Sequence, residues 1–122
     1  MEDTSVIEVD ELKERCCGQT KTMIRVLDSF VDTSQTYRIK LQSDAVANDL
    51  ATLAKTLHTI KGLLREISAV EGAKALEDLE HKLKRQAAFS PEDISTVQGW
   101  IDSASEAAVL TKQRLQEDGP AV

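Results

Sequence analysis

The sequence predicts an all-α protein, an antiparallel four-helix bundle with a short extra helix at its N-terminus. Three observations lead there. Apolar residues recur in alternating steps of three and four through most of the chain. Only 5 glycines and 2 prolines interrupt it, and β-branched runs are few, which argues against sheet. The turn signals that do occur leave four long segments with short connections, the pattern of an antiparallel bundle.

The elements follow in order. A first short helix is expected over about residues 6–17, with Val9, Leu12 and Cys16 on one face and Gly18 as its stop signal. The second, about 20–42, places Met23, Leu27, Phe30, Ser34, Tyr37 and Leu41 in line, and Ser43-Asp44 then reads as a turn and N-cap. The third, about 45–67, carries Leu50, Leu53, Leu57, Ile60, Leu64 and Ile67 within an arc of about 100°. "SAVE", Ser68 to Glu71, has the pattern of a capping box and starts a fourth helix that buries Leu76, Leu79 and Leu83 and runs to about Ala88. "SPED", Ser90 to Asp93, combines a capping serine, a proline at the first position and acids at the positive dipole end. The last helix then steps through Ile94, Val97, Ile101, Ala104, Ala108, Thr111 and Leu115.

At 122 residues the chain can form one domain with a real core but hardly two. It reads as one domain over 1–122, with "EDGPAV" from residue 117 as a frayed tail. A net charge of −6 argues against general binding to nucleic acid or anionic membranes. No apolar run approaches the ~20 residues of a membrane span, and no signal peptide opens the chain, so a cytoplasmic protein is expected. Cys16 and Cys17 are the only cysteines; adjacent in a helix, they make a poor disulfide and a poor zinc site, and read as small, half-buried helical residues.

The third helix holds the chemistry. Its stretch "LAKTLHTIKGLLREI" reads as a good amphipathic helix, yet Gly62 in its interior costs roughly 1 kcal/mol relative to alanine. On the helical wheel Ala51, Ala54, Lys55, Lys61, Gly62 and Arg65 all fall within about 60° of His58, and the apolar arc is centred about 130° away. His58 therefore points out of the bundle, amid three small residues, three cations and no acid. Small residues leave room for another protein to approach the imidazole, and the cations suit a dianionic group. No serine or cysteine nucleophile accompanies His58 for a triad, and the position where a second metal ligand would stand is Gly62. Residues 55–85 hold seven cations and five acids, so this segment is +2 and the remainder −8. A locally basic face on an acidic chain fits an acidic partner site. His81 points to the outward face of the fourth helix and reads as incidental.

"LHTIKG" resembles the His-x-[Leu/Ile]-Lys-Gly signature of histidine-containing phosphotransfer (HPt) domains, and the likeness runs from roughly Leu27 to Leu83, through "ALEDLEHKL". The chain departs from the usual pattern after Lys-Gly, with Leu63 and Leu64 in place of small residues. The resemblance implies a four-helix domain in which His58 accepts a phosphoryl group from one receiver-domain aspartate and gives it to another. Lys61 would be its charge partner and Gly62 the clearance against which the receiver docks; the wheel adds Ala54, Lys55 and Arg65 to that docking face. Chemotaxis-type relatives carry a glutamate 22 residues after the histidine, a position that is Glu80 here. A hairpin turning near 68–70 brings residues 78–81 beside His58 independently of that likeness.

A neutral imidazole, ordinary pKa about 6.5, offers a nucleophilic nitrogen at cellular pH. With no glycine-rich phosphate loop, the chain reads as a phosphocarrier without kinase activity or cofactor of its own, magnesium being expected on the receiver partner. The expected partners are response-regulator receivers and a sensor or hybrid histidine kinase, and the isolated domain is expected to be monomeric. Two alternatives stand beside this reading: the phosphotransfer domain of a chemotaxis-type histidine kinase, and a non-catalytic helical interaction domain. Transfer from a phosphorylated receiver separates the last from the others.

Overall fold

The computed structural model describes residues 6–86 and 88–118. These residues form five helices: α1 (Val9–Arg15), α2 (Thr20–Val46), α3 (Leu50–Glu66), α4 (Val70–Gln86) and α5 (Pro91–Asp118). The four long ones close a bundle in which α3 packs between α2 and α4, and α5 lies along α2. Among the described residues no strand occurs.

The core is built from the seam positions that the three-four spacing marks. Met23, Leu27, Phe30 and Leu41 enter from α2, and Leu53, Leu57, Ile60 and Leu64 from α3. Leu76 and Leu83 come from α4, and Val97, Ile101, Ala104 and Ala108 from α5. Each large apolar side chain so buried contributes roughly 1.5–3 kcal/mol relative to exposure. Leu64 is fully buried and Leu63 packs partly on the same core, which accounts for two leucines directly after Lys61-Gly62.

Connections differ from expectation in a consistent way. Three helices end in the same pair of backbone hydrogen bonds, with a non-glycine residue in the left-handed conformation just past the end. For α1 these are Gly18 N to Lys13 O and Cys17 N to Glu14 O, with Cys17 at φ 54°. For α2 they are Asp49 N to Asp44 O and Asn48 N to Ala45 O, with Asn48 at φ 56°. For α3 they are Ala69 N to Leu64 O and Ser68 N to Arg65 O, with Ser68 at φ 59°. This is the Schellman arrangement, which satisfies carbonyls that a helix end would otherwise leave unpaired.

The first correction is that Ser43-Asp44 lies inside α2, which continues to Val46. The cap of α3 is Asp49, whose carboxylate accepts from Thr52 N at 3.1 Å. Asp44 is instead buried, where it accepts from Thr56 Oγ1 at 2.7 Å and lies 3.3 Å from Lys40 Nζ, tying α2 to α3. The second is that Ser68 does not cap α4: its left-handed backbone closes α3, and its buried hydroxyl has no hydrogen-bond partner among the described residues. The third concerns the first helix, which is shorter than 6–17, leaving Cys16 buried at its end and Cys17 exposed in the turn, both as free thiols. Residues 117 and 118, at the start of the expected tail, belong to α5; residues 119–122 lie outside the described residues. Ala88, where the fourth helix was expected to end, lies two residues beyond Gln86 in the connection to α5.

The start of α5 is capped as its sequence indicates. Ser90 Oγ accepts from Asp93 N at 3.1 Å, and Asp93 Oδ2 accepts from Ser90 N at 3.0 Å. Lys82 of α4 adds an ion pair to Asp93 at 2.9 Å. At the other end of the α4–α5 seam, a Cβ on Gly72 would stand 3.0 Å from Trp100 Cε3, so glycine is what lets the indole lie there. α1 covers the α3–α4 turn, with Glu8 N donating to Ser68 O at 2.8 Å and the Arg15 guanidinium donating to the Arg65 carbonyl.

Candidate functional site

The register of the α3–α4 hairpin builds the site. Residue 69, in the turn, lies midway between 58 and 80, so antiparallel packing sets those two positions side by side. His58 Nδ1 lies 3.1 Å from Glu80 Oε2. The other oxygen, Oε1, is 2.6 Å from Lys61 Nζ, one helical turn beyond His58 on α3. One carboxylate thus joins the imidazole and the ammonium.

Exposure divides these three groups sharply. The His58 side chain is 70% exposed, while those of Glu80 and Lys61 are 13% and 9% exposed. Lys61 is therefore not the solvated surface cation that the helical wheel suggests. Its 60° offset from His58 turns it toward α4, where Glu80 covers it. Burial pushes the Glu80 carboxyl up, but the close contacts of Lys61 and His58, together with their charges, outweigh it and hold the group below the ordinary carboxylate value. Glu80 is ionised at neutral pH: its Oε2 accepts from His58 Nδ1, while its buried Oε1 forms a close ion pair with Lys61 and has no well-oriented hydrogen bond among the described residues.

A carboxylate at Nδ1 fixes the chemistry available at the ring. It accepts the Nδ1 proton, which leaves the lone pair of a neutral imidazole on Nε2. Among the described residues no protein group hydrogen-bonds to Nε2. The arrangement presents one oriented, outward-facing nitrogen nucleophile.

The residues around it are distributed as follows. Gly62 is open: a Cβ built there meets nothing within 4 Å, so internal packing does not require glycine. Ala54 is half-buried, and Lys55 is exposed. Arg65 is exposed and pairs with Glu77 of α4 at 3.7 Å. His81 is exposed and makes no hydrogen bond among the described residues. Among the described residues no three His, Cys, Asp or Glu side chains cluster as a metal site would need. No helix of the described residues is long and apolar enough to cross a membrane.

Two features escaped the sequence reading. The Lys61–Glu80 pair needs the neighbouring helix, which a single-helix wheel omits. The Asp44–Thr56 bond left a trace: Asp44 continues the α2 seam three residues after Leu41, and Thr56 stands between Leu53 and Leu57, polar groups where apolar ones are expected.

The site is thus an exposed histidine beside a largely buried carboxylate on a four-helix bundle, and comparison of the sequence with known families gives its class. The model of the Hpt domain family matches residues 25–108, more than half of the chain, so this chain belongs to the Hpt domain family. It is also 35% identical over 57 residues to the phosphotransferase RcsD of Escherichia coli (strain K12). That stretch covers 47% of this chain and 6% of the relative, so the chain corresponds to a small part of that protein. No solved structure matches significantly. α1 lies outside the matched segment.

Proposed function

We propose that this chain is a phosphorelay carrier in which His58 takes a phosphoryl group from one receiver-domain aspartate and passes it to another. In the accepting step the Nε2 lone pair attacks phosphorus and the Nε2–phosphorus bond forms. The bond from phosphorus to the aspartyl oxygen breaks, returning its electron pair to the receiver carboxylate. The Nδ1 proton stays in place, and the ionised Glu80 balances the positive charge that the phosphorylated ring acquires. In the donating step a second receiver's carboxylate attacks phosphorus, and the electron pair of the Nε2–phosphorus bond returns to the ring. Magnesium belongs to the receiver's aspartate pocket, and no step asks this chain to bind it or ATP.

The observation that carries this reading is the pairing of an exposed His58 with a largely buried, ionised Glu80 at 3.1 Å. Gly62, with open space before it, supports close approach of a receiver to that face. The test is to mix the purified chain with receivers bearing labelled aspartyl phosphate and map the label. Acid-labile, alkali-stable label on His58 supports the proposal; absence of label with every receiver, or label on His81, rejects it.

The Glu80 contact also favours a second reading, the phosphotransfer domain of a chemotaxis-type kinase, which takes its phosphoryl group from ATP through a separate catalytic domain. Labelling by such a catalytic domain and ATP, without label from any receiver, selects it.

A further inference from the structure

The phosphoryl group that the proposed function places on Nε2 carries roughly two negative charges near neutral pH. The nearest cation in the motif, Lys61, is already engaged: it is buried and 2.6 Å from Glu80 Oε1. Arg65 is paired with Glu77. Two exposed lysines placed within a helical turn of His58 or Glu80 in sequence, Lys55 and Lys84, form no ion pair among the described residues. Asp49 feels the charge of Lys55 only through space.

Their placement is complementary. Lys55 precedes His58 by one turn of α3, and Lys84 follows Glu80 by one turn of α4. Because the two helices are antiparallel, both lie on the same side of the His58–Glu80 contact, the side away from the turn. One turn is about 5.4 Å, within the reach of a lysine stem.

We propose that Lys55 and Lys84, one from each helix, hold the oxygens of the transferring phosphoryl group, while Lys61 serves as a positioning residue for Glu80. This rests on His58 being the acceptor. It divides the work of the basic face between one buried lysine that orients the carboxylate and two exposed ones that meet the incoming charge.

Phosphoramidate tests this without a receiver. Its phosphorus–nitrogen bond breaks as the Nε2–phosphorus bond forms, and ammonia leaves with the electron pair. Initial labelling rates would be followed by phosphorus NMR, with circular dichroism to verify the fold. Lys55→Gln and Lys84→Gln are each expected to slow labelling about two- to fivefold, as befits exposed charge pairs, and the double variant about tenfold. Lys61→Gln is expected to slow labelling in the otherwise unchanged protein but not in Glu80→Gln, where there is no carboxylate left to position. Wild-type rates in either Lys55→Gln or Lys84→Gln overturn the paired arrangement. An equal effect of Lys61→Gln in both backgrounds makes Lys61 the phosphoryl ligand and overturns it too. Unlabelled wild-type protein removes the acceptor reading itself, an outcome distinct from labelling that ignores the two exposed lysines.

Discussion

Lys61 Nζ and Glu80 Oε1 stand 2.6 Å apart, closer than Glu80 stands to His58, so the carboxylate that holds the imidazole is itself held from below. Removing its charge tests the arrangement. Glu80→Gln is expected to keep the helical fold and to slow phosphoryl acceptance about 10- to 100-fold, the equivalent of one hydrogen bond to a charged group. Nitrogen NMR of the ring would show the Nδ1–H tautomer losing its preference. An unchanged rate and tautomer would make Glu80 a structural acid only.

His58→Gln is expected to abolish labelling while shifting stability by no more than about 0.5 kcal/mol, because the side chain it replaces is largely exposed. Thermal unfolding followed by circular dichroism measures the second quantity. Loss of cooperative unfolding would contradict the geometry.

Gly62→Gln separates stability from docking. The replaced glycine faces open space, so the variant is expected to gain about 0.5–1 kcal/mol of helix propensity and a few degrees in melting temperature. Transfer from a phosphorylated receiver is expected to slow at least tenfold, while labelling by phosphoramidate changes little. Equal slowing with both donors would place the effect at the nucleophile rather than at the docking face.

Gly72 gives the opposite case. A side chain there runs into Trp100 and Leu64, so Gly72→Leu is expected to cost about 2 kcal/mol through overpacking. Emission from the single tryptophan would shift to longer wavelength as the indole is displaced. A melting temperature equal to that of the unchanged protein would mean that the seam yields easily.

Acid sensitivity is expected at the start of α5. Burial pushes the Asp93 carboxyl up, but Ser90 and Lys82 outweigh it and hold it below the ordinary value. A group whose pKa is lower folded than unfolded contributes stability above the unfolded value of about 3.9 and loses it as pH falls through the folded one. Asp93→Asn is therefore expected to be less stable than the unchanged protein at pH 7, with the gap closing below about pH 4. A gap that stays constant with pH would assign the loss to packing.

The seams were legible because burial imposes one period on a helix, and Leu53, Leu57, Ile60 and Leu64 carry it plainly. His58 was legible for the complementary reason: a residue far from that arc points outward. The turns were not. Glycine is the familiar marker of a left-handed helix end, but here Cys17, Asn48 and Ser68 occupy those positions, so the boundaries slipped. Ser68 and Glu71 have the spacing of a capping box, and nothing local distinguishes that use from a serine that closes the preceding helix. The burial of Lys61 belongs to two helices at once, and the periodicity of one cannot contain it.

The hold of Glu80 on Nδ1 also decides regiochemistry. A phosphohistidine can carry its phosphorus on either ring nitrogen, and free imidazole side chains yield both isomers. With Nδ1 committed to the carboxylate, any phosphoryl group accepted here is directed to the nitrogen remote from the main chain, the tele position. That isomer would project the phosphorus away from the helix backbone, on the exposed side of the ring. The hairpin turn at residues 67–69, by setting which residue of α4 meets His58, would thus select one ring nitrogen for the proposed transfer.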